Sequence, residues 1–137
     1  MWLLFALLSA LMAALVAIFG KIGLQNVDST TATMVRAGVM FLFLFFAVLF
    51  LKKLPGITEI HGRAFTFIIL SGVAGALSWI FYFVALKLGP VHRIVAIDRL
   101  SLVFAILLAA LFLSEKITWK IGVGALAMTV GAILIAF

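Results

Sequence analysis

The sequence predicts an all-α membrane protein with five transmembrane helices, and three observations carry that prediction. Of its 137 residues, 68% are hydrophobic and only 10% are charged. A chain this short has too little interior to hide such a share of apolar side chain from water, so its outer surface must face lipid. The apolar residues also fall in unbroken runs of about 20, the length a helix needs to cross a bilayer, and not in alternating stretches of about 10 as in a membrane β-strand. Finally, polar and turn-forming residues fall between the runs. Five spans consume roughly 100 positions, so residues 1–137 form a single membrane domain.

Span one covers about 1–20 and carries no charge before Lys21. A cleaved signal peptide would set basic residues ahead of a shorter apolar core, so this segment reads as a spanning helix. The polar stretch Gln25-Asn26-Val27-Asp28-Ser29-Thr30 supplies short oxygen-bearing side chains that can cap the next helix, and span two follows over about 31–51. It closes on Lys52-Lys53 and Pro55-Gly56, both stop signals. Span three covers about 63–86 and ends at Lys87, Gly89 and Pro90, where proline's missing amide and its effect on the preceding residue favour a break. Span four, about 93–114, precedes Glu115-Lys116, and Thr118 can cap span five, about 118–137. The short connections make spans three to five antiparallel neighbours.

An odd number of crossings puts the two termini on opposite faces. The amino-terminal face carries Lys52, Lys53, Arg63, Lys116 and Lys120, and the other carries Lys21, Lys87 and Arg93. The excess makes the amino-terminal face cytoplasmic, by a margin slim enough to allow insertion both ways. The net charge of +6 is spread along span ends, which suits lipid headgroups and not a polynucleotide.

Three charged side chains lie inside spans: Arg36 in span two, Asp98 and Arg99 in span four. Each costs about 2.5–3.5 kcal/mol at a helix centre. Arg36 and Asp98 sit equally far into spans that enter from the same face, roughly 7.5 Å at helical rise, and Tyr82 reaches the same layer from span three. In one reading the arginines snorkel to the interface and Asp98 pairs with one of them. In the other, Arg36, Tyr82, Asp98 and Arg99 line a water-filled cavity, and the spare guanidinium recognises a carboxylate or phosphate on a solute.

Ser71, Gly75, Ser78, Trp79 and Tyr82 recur at helical spacing in span three, either as a close-packing stripe or as a cavity wall of substrate-binding residues. Ser101, one turn from Asp98, can orient its carboxylate or bond its own helix. In span five Gly124, Ala127 and Gly131 make a smooth groove, for packing within the chain or for a dimer contact. Phe41, Phe43, Phe45, Phe46 and Phe50 point all round span two, a lipid-facing pattern. The sequence has no cysteine, no metal-spaced histidines, no paired carboxylates and no nucleotide-binding loop, and His61 and His92 fall in short loops. The expectation is therefore a protein that is not an enzyme, holds no metal or cofactor, and draws on a gradient or solute exchange.

Ala85-Leu86-Lys87-Leu88-Gly89-Pro90, Ala96-Ile97-Asp98-Arg99-Leu100-Ser101 and Phe112-Leu113-Ser114-Glu115-Lys116-Ile117-Thr118-Trp119, with the opening span and the Gly124–Gly131 helix, resemble the EamA family of the drug/metabolite transporter superfamily over essentially the whole chain. The resemblance implies a secondary transporter in a bacterial inner membrane. Relatives move substrates from amino acids and nucleobases to sugar nucleotides, lipids and drugs. Most relatives resemble two five-span units fused, the second inverted, and this chain resembles one half of that inverted-repeat transporter. Alternating access then calls for a second half, an antiparallel homodimer or a paralogous heteropartner. The small multidrug resistance transporters are similar but carry a glutamate midway along their first helix, where this chain has Leu11-Met12-Ala13-Ala14, so their proton-coupled export of lipophilic cations is not implied.

The reading is of a transporter unit for a small polar or anionic metabolite, with spans one to four around the cavity and span five peripheral. A drug or amphipathic-lipid exporter, or a non-transporting assembly subunit, are the alternatives.

Overall fold

The computed structural model describes residues 1–58 and 60–137. Its regular elements are helices, with no strand among the described residues: α1 (Trp2–Gly23), α2 (Ser29–Phe50), α3 (Pro55–Thr58), α4 (Arg63–Leu88), α5 (Val91–Asp98), α6 (Ser101–Phe112) and α7 (Trp119–Ala136). Five segments are long and apolar enough to cross a membrane: α1, α2, α4, the α5–α6 pair and α7. In four of them only 6% of the most apolar stretch is buried, and in α7 11%. The chain thus turns nearly all of its apolar surface outward, as lipid or a partner would require.

The helix ends follow local chemistry. At the start of α2 the Asp28 carboxylate accepts from the backbone N–H groups of Thr30 and Thr31, both at 2.9 Å, and from the Thr31 hydroxyl. These donors lower the Asp28 pKa from the usual 3.8, the Thr31 amide most of all, with desolvation opposing and Lys87 assisting. Thr118 caps α7 by accepting from the Ile121 amide. Both caps lie where the polar stretches predict them. At the other end of α2 the Lys53 amide donates to the Val48 carbonyl and the Lys52 amide to that of Leu49, each at 3.0 Å. This is a Schellman closure, with Lys52 at φ 53° in the left-handed region where glycine is usual.

Three features differ from the sequence reading. α1 runs through Lys21 to Gly23, because a polar residue at the interface need not end a helix. The Pro55-Gly56 stop forms one short helical turn, α3. Span four is discontinuous: α5 ends at Asp98 and α6 begins at Ser101. There the amides of Leu100, Leu102 and Val103 reach three residues back, to Ile97, Arg99 and Leu100, at 2.9, 3.1 and 2.9 Å. This tight turn within the span involves neither proline nor glycine.

The helices form two compact units. The first comprises Met1–Lys21 and Leu88–Phe137. In it α7 lies closely along α5 and more briefly against α6, and Ala96, Ala132 and Ala136 are buried. Such small side chains permit a close approach of helix backbones. The Lys21 ammonium donates to the Gly89 carbonyl at 2.9 Å, tying the end of α1 to the turn before α5. The second unit, Ile22–Lys87, contains α2, α3 and α4. Leu24, Phe83 and Leu86 are its buried apolar residues, with Ser29 and Thr33 as buried polar ones. The Lys87 ammonium donates to the Val27 carbonyl at 2.8 Å, which sets the end of α4 beside the start of α2 and makes the two helices antiparallel neighbours.

Candidate functional site

The second unit contains a cavity of about 740 Å³ between α2 and α4. From α2 it is lined by residues recurring every three or four positions, among them Thr30, Thr33, Arg36, Met40 and Leu44, one face of a helix. From α4 it is lined by Gly72, Gly75, Ala76, Trp79 and Ile80. The small residues leave the space open: a Cβ at Gly72 or Gly75 would meet nothing within 4 Å.

Arg36 is the charged residue of this lining. It lies seven residues beyond Ser29, about 10 Å along α2 at 1.5 Å per residue, and is half-buried. Its Cζ sits 3.5 Å from the centroid of the Trp79 ring and 5.5 Å from that of Phe83. Trp79 is braced edge-on by Tyr82 at 5.5 Å and by Phe83 at 6.0 Å. A guanidinium over an indole face is a cation–π contact. Because stacking uses the flat face of the guanidinium, the N–H donors at its rim stay available, and no acceptor among the described residues takes them. The Thr33 hydroxyl donates to the Ser29 carbonyl at 2.7 Å, leaving its oxygen as an acceptor.

Of the residues named from sequence, Arg36 and Trp79 are brought together here, with Tyr82 against the Trp79 ring. Ser78 is exposed and is not part of the cavity lining. The stripe expected on span three is rotated from the face that α4 turns to the cavity by roughly 80°, at about 100° per residue. Asp98, Arg99 and Ser101 belong to the first unit, at the break in span four. All three are exposed, and no ion pair joins Asp98 to Arg99. Gly124 is exposed and Gly131 half-buried, both with nothing within 4 Å of an added Cβ. On α7 they lie well round the helix from the buried Ala132 and Ala136, so their groove is open in the single chain. His61 is exposed, and His92 lies in the first turn of α5 and not in a loop.

The sequence reading missed Thr30, Thr33, Met34, Met40 and Gly72 as cavity residues, and it read Phe41, which also lines the cavity, as lipid-facing. The signal was the period of small and polar residues on the Arg36 side of span two, masked by the phenylalanines that cover every other direction.

The EamA-like transporter family matches residues 1–137, the whole chain. The chain belongs to that family. An "uncharacterized transporter in cobO 3'region" from Sinorhizobium sp is 38% identical over 135 residues, which cover 98% of this chain and 96% of the relative. That relative is therefore also of single-unit length. No solved structure matches. This EamA-like chain is a multi-pass membrane protein of the transporter class.

Proposed function

We propose that this chain is a secondary transporter of a bacterial inner membrane, moving a small polar or anionic metabolite by alternating access as a dimer. The observation that carries the reading is the Arg36 guanidinium, laid on Trp79 inside a cavity and matched by no acceptor among the described residues. A cation held inside a membrane span, where insertion costs up to about 2.5–3.5 kcal/mol at the helix centre, points to a task for it. A single five-span unit lacks the inverted second half that rocking around a fixed site requires, and the Sinorhizobium relative is of similar length. The missing half is an antiparallel copy or a paralogous partner, and the open Gly124–Gly131 groove offers a contact surface. Asp98, Arg99 and Ser101, at the break in span four, are proposed as substrate-facing groups of the first unit, and Arg36 as the charged group of the cavity in the second.

Proteoliposomes containing the chain alone should exchange a labelled anionic metabolite across the membrane. Arg36→Ala and Arg99→Ala should each reduce the exchange, and unchanged exchange in both removes the proposal. A reporter fused to the carboxyl end should appear on both sides of the membrane, and a uniform location excludes the dual-topology dimer.

A further inference from the structure

The chemistry of the cavity walls narrows the solute beyond "polar or anionic". Among the described residues, Arg36 is the single formal charge on the lining and no carboxylate lines the space. A zwitterion or a lipophilic cation would bring a positive group with no anion to meet it, and a dianion would bring a negative charge with no second cation. Unpaired charges against apolar walls are expensive. One negative charge per solute satisfies the site.

The remainder of the space is built for apolar volume. From Arg36 to Leu44 the cavity follows α2 for eight residues, about 12 Å at helical rise, past Met40 and Phe41, and it is faced by Gly72, Gly75 and Ala76. A fully hydrated polyol or sugar there would lose water without gaining hydrogen bonds, since the hydroxyls of the lining, Thr30 and Thr33, lie on the other side of Arg36 along α2. Methionine and phenylalanine walls facing glycine and alanine suit a ring or a branched hydrocarbon.

We infer that the α2–α4 cavity binds an amphipathic organic monoanion, its carboxylate or equivalent head on the rim of the Arg36 guanidinium and its apolar body between Phe41, Leu44 and Gly75. The inference rests on the proposed transport reading for its biological meaning but concerns binding alone. A free carboxylic acid and an acidic lipid share this chemistry.

The test uses the full chain in phosphatidylcholine nanodiscs, with Trp2→Phe and Trp119→Phe leaving Trp79 as the one indole under the guanidinium. Titration with 4-phenylbutyrate should shift Trp79 emission saturably. The neutral 4-phenylbutyramide, the zwitterion phenylalanine and the dianion succinate should each bind at least tenfold more weakly. Arg36→Gln should weaken 4-phenylbutyrate at least tenfold, and Arg36→Lys less. Because Arg36→Gln could disturb folding, Gly75→Leu is the second variant: it adds side chain to open space and favours helix. It should weaken 4-phenylbutyrate at least tenfold by filling the apolar section.

Equal binding of acid and amide, succinate binding as tightly as 4-phenylbutyrate, or full binding by a folded Gly75→Leu protein overturns the inference. In nanodiscs with phosphatidylglycerol, a tenfold loss of apparent affinity supports the same chemistry with a lipid as its source. Unchanged affinity supports a free acid. Saturable binding without exchange in proteoliposomes would refute transport by the homodimer and leave this inference standing. Exchange that ignores the charge and apolar body of the solute would do the reverse.

Discussion

Replacing Trp79 by leucine removes the ring on which the Arg36 guanidinium lies but keeps apolar volume at the position. The Cζ–centroid distance of 3.5 Å is well inside the range of a cation–π contact, and both residues are half-buried. Such contacts contribute about 0.5–1 kcal/mol when exposed and about 2 kcal/mol when desolvated, so this one is expected to contribute about 1–1.5 kcal/mol. That corresponds to roughly 5- to 12-fold in an unfolding equilibrium. The single variant mixes this loss with the edge contacts of Trp79 to Tyr82 and Phe83. A double-mutant cycle of the parent, Arg36→Gln, Trp79→Leu and the double variant cancels those contacts, because they are lost in both backgrounds. The assay is reversible unfolding in mixed micelles followed by circular dichroism. A coupling energy of about 1–1.5 kcal/mol is expected, and a value within the additivity scatter of about 0.3–0.5 kcal/mol refutes the stacked geometry and the site built on it.

Three further outcomes follow from the helix ends and the α7 groove. The Asp28 carboxyl has a folded pKa below its ordinary 3.8, so its contribution to stability is fully present above that value and is lost as pH falls through the folded value. Thermal unfolding between pH 6 and 2 should show the parent ahead of Asp28→Asn at the upper end and the advantage vanishing below pH 3.8. Ser114 holds φ 56° after α6, and Ser114→Gly should relieve that strain and stabilise the protein by about 0.5–1 kcal/mol, read as a higher Tm. A Cβ at Gly131 would meet nothing within 4 Å in the single chain, so Gly131→Ala should leave the monomer folded while inter-subunit energy transfer in liposomes falls severalfold. Undiminished transfer would exclude this groove from the contact.

The fold was legible because lipid imposes length: five apolar runs near 20 residues, separated by Asp28, Pro55, Pro90 and Thr118, could be little else than five helices. Capping by Asp28 and Thr118 was legible because the cap is a local property of residue type. The break after Asp98 was not, since Arg99 and Leu100 carry no helix-breaking chemistry and the turn depends on packing beyond the local sequence. In the cavity, Arg36 stood out because a charge inside a span is costly. Its pairing with Trp79 was hidden because it needs the α2–α4 register, which the Lys87–Val27 hydrogen bond anchors. Ser78 illustrates the same limit. Spacing assigned it to the face of Trp79, but a shift of one helical position decides whether a residue reaches the cavity, and Trp79 does so while Ser78 does not.

The discontinuity in span four sets a boundary on what can surround it. By reaching only three residues back, the amides of Leu100 and Leu102 pass over the carbonyls of Ala96 and Asp98. Hydrocarbon offers such oxygens nothing, and an unmet peptide group there costs several kcal/mol. That arc of the helix must therefore be wetted or covered by polypeptide when the protein is in a bilayer, so span four has a flank that the acyl chains do not reach.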